Sequence, residues 1–157
     1  MMHPASTSIN PIMISNYMAG HPGKDYGYDR LMEAVYYTPH LVRPMINSEP
    51  NLLNCKNYSG ETVMHWFVVE NDIEIVELLS SCGGMVSDYA LAEACGMGHV
   101  DMVYLLLGIG VIPDLSFCKT LIKLNSGMPR KTLIKLRRAF NRYGYKLEWP
   151  LAGKMQF

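Results

Sequence analysis

The chain has 157 residues, of which 49% are hydrophobic and 18% are charged, and this balance favours one folded domain over a disordered chain. No apolar run reaches the roughly 18 residues that a transmembrane helix needs, and the start lacks the charged region of a secretory signal. The formal net charge is zero, but the charges are unevenly distributed along the chain. Residues 1–114 have a net charge of −9, and residues 115–157 have a net charge of +9.

Residues 1–27 are predicted to form an extended N-terminal arm. They contain several prolines and glycines, show no sustained hydrophobic period and carry only Lys24 and Asp25 as formal charges. Apolar side chains such as Ile12 and Met13 would be unfavourably exposed on a free tail. The arm is therefore expected to cover either the first helices or a partner, and the sequence leaves both possibilities open.

Residues 29–54 place apolar side chains at the spacing of two short helices, and residues 57–84 predict a second helix pair more strongly. Gly60 permits a tight turn, Thr62 can cap the helix that follows, and Asn71 can end that helix in a left-handed conformation. Each of these helices is under about three turns long and too short to be stable alone. They must therefore pack against neighbouring helices.

Residues 86–110 repeat the second half of this pattern at a shift of 27 residues, with Gly98 in the place of Asn71. Apolar side chains within residues 115–145 have a similar spacing and predict a fourth helix pair. The expected organisation is an N-terminal arm, a domain of about four helix pairs and a C-terminal tail, at residues 1–27, 28–146 and 147–157.

The segment 57–84 resembles an ankyrin repeat, whose pattern reads G-x-T-P-L-H-x-A, then a Gly-containing turn, then E-[IV]-V-x-L-L. The matching residues are Gly60, Thr62, His65, Glu74, Ile75, Val76, Leu78 and Leu79. The resemblance implies an all-α fold, an ankyrin-like solenoid of about four helix-turn-helix repeats. It also implies structural roles for Gly60, Thr62 and His65, which would brace the turn before the first helix. Short, degenerate repeats of this kind are similar to those of large DNA viruses and intracellular bacteria.

The same resemblance implies a surface that binds another protein. In ankyrin repeats the variable positions of the first helix face a concave groove, and here these positions are Glu33, Tyr36, Tyr37, Trp66, Val69, Glu70, Glu93 and Met97. Tryptophan and tyrosine dominate binding hot spots, and the glutamates favour a basic partner. The alternative is that the aromatic side chains fill core space or lie under the arm. The expected function is a non-catalytic adaptor or scaffold.

Two other functions stay open. A structural subunit of a larger assembly would dock its N-terminal arm on neighbouring chains. Alternatively, Lys131, Lys135, Arg138 and Arg142 lie three or four residues apart and would form one basic helix face that binds nucleic acid or another anionic surface. The simpler interpretation, which the sequence favours, is a face that meets only solvent.

No catalytic residue, metal site or cofactor is expected. The five histidines are scattered, and none lies at metal-ligand spacing from a cysteine or another histidine. The glycine-containing stretch at residues 96–99 lacks the lysine and the preceding strand of a phosphate-binding loop. The four cysteines show no disulfide framework, which indicates reduced thiols and an intracellular location, cytoplasmic or nuclear.

Overall fold

The computed structural model describes residues 25–148, which form eight α-helices in four consecutive pairs and contain no strand of a sheet. The helices are α1 (Tyr26–Tyr37), α2 (Val42–Ser48), α3 (Val63–Val69), α4 (Ile73–Ser81), α5 (Asp88–Met97), α6 (Val100–Gly108), α7 (Leu115–Leu124) and α8 (Arg130–Arg142). Two 3₁₀ helices, Pro39–Leu41 and Pro50–Asn54, lie on either side of α2. The predicted all-α fold of about four helix pairs is confirmed.

The predicted N-terminal arm lies outside the described residues up to position 24, as does the predicted tail from position 149. The first described helix begins at Tyr26, next to the expected end of the arm. Within residues 25–148, no helix has both the length and the apolar composition required to cross a membrane.

The described residues divide into two compact units. The first unit comprises residues 25–67 and 74–85, and the second comprises residues 68–73 and 86–148. In the first unit α1 and α2 pack against each other and against the two 3₁₀ helices. The core of this unit is apolar, and its most deeply buried side chains include Leu31, Val42, Ile46, Leu52, Val63 and Leu79.

The turn before α3 is organised by side chains that bond to its backbone. Gly60 has a φ of 75°, a left-handed value that costs little without a Cβ. The Thr62 hydroxyl oxygen accepts a hydrogen bond from the backbone N–H of His65 at 3.3 Å, which is the geometry of an N-cap. Asn57, which was not among the predicted turn residues, accepts hydrogen bonds from the N–H groups of Ser59 and Glu61. His65 itself is buried.

We expect Thr62→Ala to lower the free energy of unfolding by about 1–2 kcal/mol, because the first turn of α3 loses its side-chain acceptor. Urea denaturation followed by circular dichroism measures this change. Thr62→Ser is the matched control, since it keeps the hydroxyl, and it should lose much less stability. Equal stability of Thr62→Ala and the unmodified chain would show that the cap contributes nothing.

The second unit is built around α5, which packs against both α6 and α7, while α8 packs against α6. The turn between α5 and α6 follows the predicted conformation, because Gly98 ends α5 with a φ of 74°. The ring nitrogen Nε2 of His99 lies 3.1 Å from the carbonyl oxygen of Val69 and ties the 68–73 segment to the start of α6. Ser87 caps α5 by accepting a hydrogen bond from the N–H of Ala90, a role that was not predicted from the sequence.

Candidate partner-binding surfaces

The first unit carries four of the residues predicted to bind a partner. Tyr36 and Tyr37 are exposed at the end of α1, and Glu33 is half-buried one turn earlier. The Tyr36 ring lies 5.7 Å from the ring of Phe67, centroid to centroid, and this contact brings the end of α1 beside α3. Trp66 on α3 remains 38% exposed, so a large part of its surface is open to a partner.

The other four predicted residues lie in the second unit. Val69 is half-buried at the end of α3, and Glu70 is exposed directly after it. On α5, Glu93 is half-buried and Met97 is exposed one turn further on. Glu93 and Met97 therefore lie on one side of the same helix, as the spacing of four residues predicts.

An open groove of about 410 Å³ lies between α5 and α7, and Glu93 and Met97 form part of its wall. The complete lining is Glu93, Gly96, Met97, Leu121, Leu124 and Asn125. Leu124 is one of the most exposed large apolar side chains of the described residues. The groove is therefore mostly apolar, with one carboxylate and one amide in its wall.

The groove depends on the close approach of α5 and α7. A Cβ at Gly96 would lie 2.9 Å from the Cβ of Leu121, so only glycine allows this approach without a shift. The side-chain amide nitrogen of Asn125 donates a hydrogen bond of 2.8 Å to the carbonyl oxygen of Gly96. This bond satisfies a carbonyl near the end of α5 that has no partner within the helix. Together these contacts hold the two helices in place along the groove.

Four groove residues, Gly96, Leu121, Leu124 and Asn125, were not predicted as part of a binding surface. A signal for Leu124 was present in the sequence. Cys118 and Ile122 form the buried face of α7, and Leu124 follows Ile122 by two residues, which turns it roughly 200° away from that face. An apolar side chain on the solvent face of a short amphipathic helix indicates an interface.

The basic residues predicted to form one face of a helix all lie exposed on α8. These are Lys131, Lys135, Arg138 and Arg142, and Arg130 and Arg137 are exposed beside them. The opposite face of α8 is buried and apolar, with Leu133, Leu136, Ala139 and Phe140 in the core. The helix is thus divided sharply into an apolar face and a cationic face.

The four cysteines lie within the described residues and are free thiols. Cys95 on α5 and Cys118 on α7 are fully buried. The hydrogen bond with Cys118, together with burial, raises the pKa of the Cys95 thiol well above its usual value. Burial likewise raises the pKa of Cys55. These two thiols are therefore protonated at neutral pH and are poor nucleophiles.

Comparison with known protein families agrees with the geometry. The family model described as ankyrin repeats, three copies, matches residues 31–124, which is more than half of the chain. No match was found among curated proteins or among solved structures. The matched region spans the first three helix pairs and α7, so the architecture is an all-α repeat solenoid. The chain belongs to the ankyrin repeat family.

Proposed function

We propose that this protein is a non-catalytic adaptor or scaffold that binds another protein. Ankyrin repeats are in general protein–protein interaction modules, and the chain contains such repeats over residues 31–124. The observation that carries the proposal is the apolar groove between α5 and α7, in which Met97 and Leu124 are exposed. Burying these side chains against a partner removes apolar surface from water, which is the main favourable contribution to most protein association.

The chemistry of the groove indicates the kind of partner that fits. Met97, Leu121 and Leu124 offer a site for an apolar side chain, and methionine adapts its shape to irregular surfaces. Glu93 also lines this wall, and its side chain already interacts with other residues of the protein. A segment that presents an apolar side chain therefore complements this groove.

The exposed aromatic side chains of the first unit provide a second contact region. Tyr36, Tyr37 and Trp66 are exposed, and aromatic side chains are enriched among residues that dominate binding energy. Their rigid rings lose little conformational freedom on binding.

The groove is tested with a purified partner. Cross-linking and mass spectrometry identify candidate partners, and isothermal titration calorimetry then measures the affinity of each purified candidate. We expect Leu124→Glu to weaken binding by about tenfold or more, which corresponds to about 1.4 kcal/mol. The reason is that a charge without a partner is costly to bury in an apolar contact.

Ile112→Glu is the matched control, since Ile112 is 76% exposed, Leu124 is 75% exposed, and only Leu124 lines the groove. This variant introduces the same charge in the same unit and should keep the affinity of the unmodified chain. The proposal is wrong if Leu124→Glu and Ile112→Glu bind equally well, or if no purified candidate binds the intact chain.

A further inference from the structure

The solvent face of α8 consists almost entirely of cations. Every exposed residue of this helix other than Asn141 is a lysine or an arginine. The six cations are Arg130, Lys131, Lys135, Arg137, Arg138 and Arg142. A helix that merely meets water usually carries both signs of charge, because opposite charges one turn apart stabilise it and like charges destabilise it. The composition of this face is therefore an energetic cost to the isolated chain.

The cations of this face have no opposite charge in direct contact. Arg30 pairs with Glu49 in the first unit, whereas none of the six cations of α8 takes part in an ion pair within residues 25–148. The sequence from position 115 to position 147 contains no carboxylate, and α7 adds Lys119 and Lys123. A positive potential therefore extends over this part of the second unit, where it attracts anions.

We propose that the solvent face of α8 binds the phosphate backbone of a double-stranded nucleic acid without reading its sequence. Lys131, Lys135, Arg138 and Arg142 follow one another every three or four residues, and the stripe is about 16 Å long at the 1.5 Å rise of a helix. One strand of a duplex presents a phosphate about every 3.4 Å along its axis, so the stripe spans several phosphates. Arginine forms paired hydrogen bonds with phosphate, and lysine provides a point charge.

The absence of certain side chains from this face favours a duplex over other anionic partners. The exposed residues of α8 include no apolar or aromatic side chain, so the face offers no anchor of the kind that dominates protein interfaces. Between Arg130 and Arg142 it also offers no exposed ring on which a single-stranded base could stack. Leu133, Leu136 and Phe140 are buried in the unit, so α8 has no apolar face with which to enter a lipid bilayer.

This binding is independent of the groove between α5 and α7, because the two surfaces share no residue. An affinity for nucleic acid can therefore exist whether or not the groove binds a protein. Conversely, a variant that disrupts only one surface reports on that surface alone.

The test uses the intact chain and a labelled DNA duplex of about 20 base pairs with mixed sequence. Fluorescence anisotropy measures Kd at several salt concentrations. We expect a Kd near the micromolar range or tighter at about 50 mM salt, with weaker binding as salt rises, because binding releases counterions. Lys135→Gln with Arg138→Gln should weaken binding by roughly tenfold and reduce the slope of log K against log salt by about 1.8, or about 0.9 for each phosphate contact.

The matched control is Arg43→Gln with Lys56→Gln, which removes the same charge from exposed positions of the first unit. It should bind the duplex as the unmodified chain does. Lys131→Gln with Arg142→Gln serves as a second variant of α8 if the first one has a lower melting temperature than the control.

Three results would overturn the proposal. The first is no binding of the duplex by the unmodified chain at about 50 mM salt, where backbone contacts are strong. The second is an equal loss of affinity in the α8 variants and in the control, which would indicate an effect of net charge alone. The third is tighter binding to a poly-glutamate peptide or to vesicles of anionic lipid than to the duplex, which would identify a different partner.

Discussion

Replacing Phe140 with alanine is expected to lower the free energy of unfolding by about 3–5 kcal/mol. The Phe140 ring is completely buried on the apolar face of α8, where its centroid lies 6.5 Å from that of Tyr145 in an edge-to-face arrangement. Alanine would leave a cavity and remove this contact, and α8 is too short to be stable alone. Urea denaturation gives the change directly.

Ile112→Ala is the control for this prediction. Ile112 is an apolar side chain of similar chemistry that is almost fully exposed, so its truncation should change the free energy of unfolding by less than about 0.5 kcal/mol. If Phe140→Ala lost no more stability than Ile112→Ala, α8 would not be an integral part of the second unit. The surface proposed on its cationic face would then lack a rigid base.

Replacing Trp66 with alanine is expected to weaken binding of the protein partner by about 2 kcal/mol or more, which is roughly thirtyfold. Trp66 keeps 38% of its surface exposed, next to Phe67, whose ring contacts Tyr36. A large aromatic side chain in this position can be buried further by a partner. Calorimetric titration with the purified partner measures the loss of affinity.

Phe67→Ala separates binding from folding. Phe67 is the next residue on α3 and is buried, so its truncation should lower the free energy of unfolding by about 3–5 kcal/mol. Trp66→Ala should cost clearly less stability than Phe67→Ala. A comparable loss of stability in both variants, with unchanged affinity of the folded Trp66→Ala chain, would identify Trp66 as a core residue rather than a binding residue.

The turns of this protein could be predicted from the sequence because their conformations depend on local sterics. Gly60 and Gly98 take positive φ angles, which glycine adopts at little cost. Asn71 also has a positive φ, of 59°, and asparagine is one of the few residues with a side chain that tolerate this conformation. Gly83, with a φ of 98°, follows the end of α4 for the same reason. These residues separate successive helices of the chain, and the hydrophobic period supplies the rest of the repeat pattern.

The binding surfaces could be predicted only in part. The period of a helix places Glu93 and Met97 on one side of α5, and it also places the cations of α8 on one face. It does not indicate which residues of another helix stand opposite. Leu121 and Leu124 are separated from Met97 by more than 20 residues, and they share its groove because α5 and α7 pack together.

The helix pairs, their turns and the repeat family could be predicted, since each of these depends on interactions within a few residues or on a repeated local pattern. The groove could not be predicted, because the approach at Gly96 and the hydrogen bond from Asn125 join segments that are distant in the chain. The folded structure was also needed to show that the cations of α8 form no ion pairs inside the described part of the chain. Pairing of charges, like burial, depends on which segments meet after folding, and neighbouring positions in the chain do not determine it.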